Sequence, residues 1–90
     1  MQKSKKVENG KLVKIDADLE ENFENVKIHG DFFIEPVEKL TEIRELIEGL
    51  DRDFERRKVE NNISGIDVEL IGFSAEDIVD VLEKFRGDGE

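Results

Sequence analysis

Leu12-Val13-Lys14-Ile15-Asp16-Ala17-Asp18-Leu19 and Asn25-Val26-Lys27-Ile28-His29-Gly30-Asp31-Phe32-Phe33-Ile34 are the two stretches that decide the fold. In both, apolar and polar residues alternate with a period of two, the mark of a strand with one buried face. Val13, Ile15, Ala17 and Leu19 oppose Leu12, Lys14, Asp16 and Asp18 across the first strand. Val26, Ile28, Gly30, Phe32 and Ile34 oppose Asn25, Lys27, His29, Asp31 and Phe33 across the second. A hairpin with its tip at Glu21-Asn22-Phe23-Glu24 is expected.

Charge suggests a register. Setting Lys14 against Asp31, Asp16 against His29 and Asp18 against Lys27 makes every polar pair complementary or compatible. The core face then pairs Val13 with Phe32, Ile15 with Gly30, Ala17 with Ile28 and Leu19 with Val26. Sliding the strands to oppose Asp16 with Asp31 creates a like-charge pair, and each such pair matters by about 0.2–1 kcal/mol. The favoured register also sets Leu12 opposite Phe33 on the otherwise polar face, beside Lys11 and Lys14. Consecutive strand residues point to opposite faces, so Phe32 is expected to fill the core and Phe33 to be spare for a partner.

Beyond the hairpin, Pro36 sits where a helix start loses nothing by lacking an N–H. Val37, Leu40, Ile43, Ile47 and Leu50 mark a helical stripe ending at Gly49. Asp53 to Ile63 reads as a second helix with Phe54, Val59 and Ile63 inward. Ile66, Val68 and Leu70 alternate as a short third strand. Ser74 followed by Asp77 is a capping box, starting a helix with Ile78, Val81, Leu82 and Phe85 inward. The expected fold is α+β: a two-layer sandwich in the order β-β-α-α-β-α, with a three-stranded sheet and helices packed on one face. Residues 1–9 are expected to be a flexible basic arm, 10–86 a single domain and 87–90 a frayed acidic tail.

Composition narrows the function. Ninety residues make one small domain, which buries only about 60–65% of its unfolded surface. The net charge is −10, yet residues 1–14 set five lysines against Glu8 for a net +4, leaving −14 for the rest. So acidic a body repels nucleic acid. Without cysteine there is no disulfide, thiolate metal site or thiol nucleophile, which excludes the chemistry of sulfur carriers and iron–sulfur scaffolds. No apolar run approaches the roughly 20 residues of a membrane span, so a cytoplasmic location is expected. The single histidine, His29, makes a poor metal site and lacks a nucleophile to serve as a base. Asp16-x-Asp18-x-Glu20 resembles the start of a calcium loop, but the positions requiring Gly and Glu hold Glu21 and Lys27. No P-loop or dinucleotide fingerprint occurs.

Several of these features coincide with a known family. Gly10-Lys11-Leu12-Val13 opens one strand and Gly30-Asp31-Phe32-Phe33 closes the next; a Pro-started helix follows, and a short strand runs into the helix at Ser74. Together, over roughly Gly10 to Arg86, they resemble the C-terminal accessory domain of lipoate-protein ligases, and a chain of that domain alone resembles the small subunit of the bipartite archaeal-type enzyme. The resemblance implies a non-catalytic subunit, required with a large subunit for ATP-dependent activation of lipoate to lipoyl-adenylate before transfer to lysine of acceptor proteins. It places ATP, magnesium and lipoate in the partner, and no catalytic or metal-binding residue in this chain. The expected partner interface is Leu12, Gly30, Asp31 and Phe33, with Lys11 and Lys14 near the ligand. The competing expectation is an acidic protein-binding module that recruits lipoyl acceptor domains without affecting chemistry.

Overall fold

The computed structural model describes residues 1–7, 11–30 and 33–87, with Phe33 and Gly87 described in backbone only. The fold is α+β, as the sequence predicts. Its elements are β1 (Gln2–Lys6), β2 (Leu12–Leu19), β3 (Phe23–Gly30), β4 (Phe33–Glu35), α1 (Lys39–Ile47), α2 (Arg56–Ser64), β5 (Glu69–Ile71) and α3 (Ala75–Gly87). An antiparallel sheet runs β1-β2-β3, and β4 pairs with β5 in a separate two-stranded ribbon. The helices pack over the face of the main sheet that carries Val13, Ile15, Ala17, Val26 and Ile28, all buried: α3 lies on β1 and β2, and α1 on β3.

Three expectations need correction. Residues 2–6 are not an arm but the third strand of the main sheet, pairing Lys5 with Val13 and Lys3 with Ile15. The strand at residues 69–71 joins β4 instead, pairing Ile71 with Phe33 and Leu70 with Ile34. The hairpin register also differs: β3 sets Gly30 against Val13, His29 against Lys14, Ile28 against Ile15 and Lys27 against Asp16. This is a slide of two residues from the charge-derived register, so the side chains of residues 27–30 keep their face.

A bulge explains the slide. Between the pairs Asp16–Lys27 and Asp18–Glu24, β2 spends one residue and β3 spends two. Asn25 takes a positive φ of 55° and its amide donates to Asp18 Oδ2 at 3.0 Å. Asn is among the few side chains that tolerate this backbone. The extra residue reverses the alternation, so Phe23 turns inward together with Val26 and is fully buried. Burying a Phe stabilises by about 1.5–3 kcal/mol, more than the cross-strand charge pairs can return.

The first two helices begin later than their sequence signals. Pro36 to Glu38 form a tight turn whose carbonyls accept from Lys39, Leu40 and Thr41, leaving Val37 68% exposed instead of on the inward stripe. Asp51 Oδ1 accepts from the Asp53 N–H and holds a turn where the second helix was expected to start. Phe54 is buried ahead of α2. The α3 capping box forms as predicted: Asp77 Oδ2 accepts from the Ser74 N–H at 2.9 Å, and Ser74 Oγ from the Asp77 N–H at 3.4 Å. Ile78, Val81, Leu82 and Phe85 are buried as expected. Gly87 closes α3, and the rest of the expected tail lies outside the described residues. Among the described residues no helix is long and apolar enough to cross a membrane.

Two substitutions test the bulge. Phe23→Ala should destabilise the fold by about 3–5 kcal/mol in denaturant melts, as expected for emptying a buried Phe site. Asn25→Val should cost about 1–2 kcal/mol, because a β-branched side chain resists positive φ, while Asn25→Gly should be close to neutral.

Candidate functional site

Of the residues singled out from the sequence, Lys11, Leu12, Lys14 and Gly30 are fully described. Leu12 is half-buried and pairs with Lys6 of β1, whereas the Phe33 backbone pairs with Ile71 in the other sheet. The expected strand pairing of Leu12 with Phe33 is therefore replaced, in the described backbone, by pairing of Phe33 with β5. Gly30 opposes Val13 rather than Ile15, and it is exposed rather than packed beneath the helices. Gly10, Asp31 and Phe32 lie outside the described residues, as does the Phe33 side chain. Lys11 is exposed just before β2, and its carbonyl accepts from the Val7 N–H at 2.7 Å.

Lys14 does stand on a surface available to a partner. It pairs with Ser4 on one side and His29 on the other, giving a row Ser4-Lys14-His29 across all three strands. The adjoining rows are Lys6 with Leu12, and Gln2 with Asp16 and Lys27. Paired residues share a face, so these side chains lie opposite the helical layer. His29 thus neighbours a lysine, not Asp16 as the expected register had it.

On the helix side, sequence reading missed a charge network. Lys5 of β1 donates to Asp77 Oδ1 at 2.8 Å and also to Asp80 Oδ2. Arg56 of α2 donates to Asp80 Oδ1 at 2.5 Å, to Glu83 Oε1 at 2.7 Å and to Glu60 Oε2 at 3.1 Å. Asp77, 9% exposed, therefore caps its helix and anchors β1 at once. Its hydrogen bond, with that of Asp80, raises the Lys5 pKa against the opposing effect of burial. Burial alone would raise the Asp80 carboxyl; the hydrogen bonds from Lys5 and Arg56 outweigh it and hold the group below its ordinary value. The available signal was the i, i+3 spacing of Asp77, Asp80 and Glu83 along one side of α3.

At the hairpin end lie two shallow clefts of about 290 and 300 Å³. Asp18, Glu20 and Glu24 line one; Glu20, Glu21, Asp51 and Asp53 line the other with Arg52. Such walls disfavour phosphates and carboxylates. Among the described residues, no group of His, Cys, Asp or Glu is arranged to hold a metal ion.

Comparisons with protein-family models, with curated proteins and with solved structures give no match to this chain. The family resemblance accordingly rests on the residues quoted for it.

The network predicts a pH dependence. The folded pKa of Asp80 lies below its ordinary value of 3.8, so its contribution is present above that value and lost as pH falls through the folded one. Asp80→Asn should cost about 1.5–3 kcal/mol at neutral pH, the range for hydrogen bonds to charged groups. In urea melts between about pH 5 and pH 2, the variant should lose stability less steeply than the parent.

Proposed function

We propose that this chain is a non-catalytic accessory subunit of a lipoate-protein ligase, acting with the large catalytic subunit when lipoate and ATP are joined as lipoyl-adenylate. The observation that carries the reading is the uncovered face of the main sheet. On the other side α1 and α3 pack against the sheet and α2 against those helices, and Lys14 stands in the middle strand of the face that no described helix covers. A partner can be docked there without disturbing the core. The enzyme class comes from the resemblance at Gly10-Lys11-Leu12-Val13 and Gly30-Asp31-Phe32-Phe33.

In this reading the large subunit holds ATP, magnesium and lipoate, and the small subunit covers the reacting groups. Attack of a carboxylate on a phosphate brings negative charges together, so it requires alignment and neutralisation. The adenylate formed is then lost if water reaches it. Lys11 and Lys14 supply positive charge at the approaching edge, while the acidic clefts point elsewhere. The subunit thereby assists activation and leaves transfer to the partner.

Pyrophosphate release by the large subunit, measured with and without this chain, tests the reading. Activation should need the chain, and Lys14→Ala or Lys11→Ala should slow it by about tenfold to a thousandfold. Transfer from premade lipoyl-adenylate should stay unchanged. Equal activation with and without the chain would overturn the proposal, and loss of acceptor choice alone would identify a recruiting module.

A further inference from the structure

We propose that the outer edge of β1 is a strand-addition site for an extended acidic segment of another protein. The inference rests on the backbone of residues 2–6 and the charges around it, and stands apart from the ligase reading.

The hydrogen bonds fix which groups point outward. The Val7 N–H donates to the Lys11 carbonyl at 2.7 Å, and the Ala17 N–H to the Met1 carbonyl at 2.8 Å. In an antiparallel ladder alternate residues bond to the same neighbour, so the odd residues of β1 bond to β2. Gln2, Ser4 and Lys6 therefore direct their N–H and C=O groups away from it. Among the described residues no strand lies beyond β1. The outward carbonyl of Ser4 accepts a hydrogen bond from Lys84 Nζ at 2.6 Å, which places a cation of α3 at the edge itself.

Charge selects the occupant. Lys3, Lys6 and Lys84 form no ion pair within the described residues, whereas Lys5 is matched by Asp77 and Asp80. Those carboxylates face the strand from α3, but Lys5, Arg56 and Ser74 already engage them. Asp16, across from Gln2, is shared with the Met1 amine. The edge thus presents three ammonium groups without a carboxylate partner among the described residues, Lys84 being held by the Ser4 carbonyl, in a chain of net charge −10. A second copy fits poorly: an antiparallel β1–β1 pair centred on Ser4 would oppose Lys3 to Lys5. Edge lysines deter pairing between copies, and the same charge admits a strand rich in Glu or Asp. On binding, Lys84 would exchange the neutral Ser4 carbonyl for a carboxylate, a stronger acceptor.

The test is a titration of the isotope-labelled full chain with a peptide of about six residues alternating Glu and Val. Amide shifts should concentrate at Gln2, Ser4 and Lys6, and binding should weaken as salt rises. Lys3→Ser combined with Lys6→Ser should weaken binding about tenfold while the thermal midpoint stays near that of the parent. A peptide N-methylated along its pairing edge should not bind, because it keeps the charge and loses the ladder. Equal binding of the N-methylated peptide, equal binding of a Lys-for-Glu peptide, shifts on another face, or no binding at all would each overturn the proposal. So would self-association of the chain through β1 in sedimentation experiments.

Discussion

Phe23 turns into the core because Asn25 accepts a backbone conformation that most residues avoid, and much of the molecule is arranged around that turn. The ring meets Phe54 at 6.1 Å and Phe85, edge-on, at 5.6 Å. Three segments far apart in sequence thus meet at one point: the hairpin, the loop before α2 and the last turns of α3. The backbone of Phe23 is tied as well, donating to Leu50 O and accepting from the Gly49 N–H. Arg52 donates to Glu20 O, and Arg86 lies over the Phe54 ring at 4.0 Å. In so small a domain, where stability is a narrow balance, this junction does what a larger core would do elsewhere.

The other organising contact is electrostatic. A strand reading Gln-Lys-Ser-Lys-Lys has no apolar side chain to press on the core, yet it joins the sheet as its third member. Lys5 replaces the missing apolar contact by reaching two carboxylates of α3, while Lys84 reaches back to Ser4. Arg56 of α2 shares Asp80 with Lys5 and adds Glu83 of the same helix. The acidic ridge of α3 is therefore an adhesive between layers. Breaking such a network leaves charges without partners in a partly desolvated place, which is why its members act together.

The faces of the elements were legible in the sequence, and the connections between them were not. Period-two alternation gave the inward residues of β2 and the buried Val26 and Ile28, and helical spacing gave those of α3, because burial leaves a periodic trace. The Ser74–Asp77 box was legible because both hydrogen bonds are local. The bulge leaves only a faint trace: Glu24 and Asn25 are consecutive polar residues between Phe23 and Val26, a break in the alternation that reads equally well as a hairpin tip. The same limit applies to β1. Its lysines look like a solvated arm until α3, some 70 residues later, supplies the carboxylates. The pairing of Phe33 is a further case, since the alternation runs on past Gly30 in the sequence while the Phe33 backbone pairs with Ile71.

The surroundings of Lys14 change the functional argument. Lys14 stays on the open face, but its neighbours are Ser4 and His29, both brought there by a register and a strand that were not foreseen. Positive charge along the sheet now has two outlets, the open face around Lys14 and the free edge of β1. They differ in what they can recognise. A sheet face offers side chains and suits a folded partner that brings its own shape, whereas an edge offers backbone groups and suits a segment that becomes ordered on binding. The junction of Phe23, Phe54 and Phe85 includes none of these lysines: Lys6 and Lys14 lie on the face away from the helices, and Lys3, on the helical face, is half-buried at the sheet edge. Substitutions at Lys14 therefore probe the first outlet, and those at Lys3 and Lys6 the second, without unsettling the junction that holds the fold.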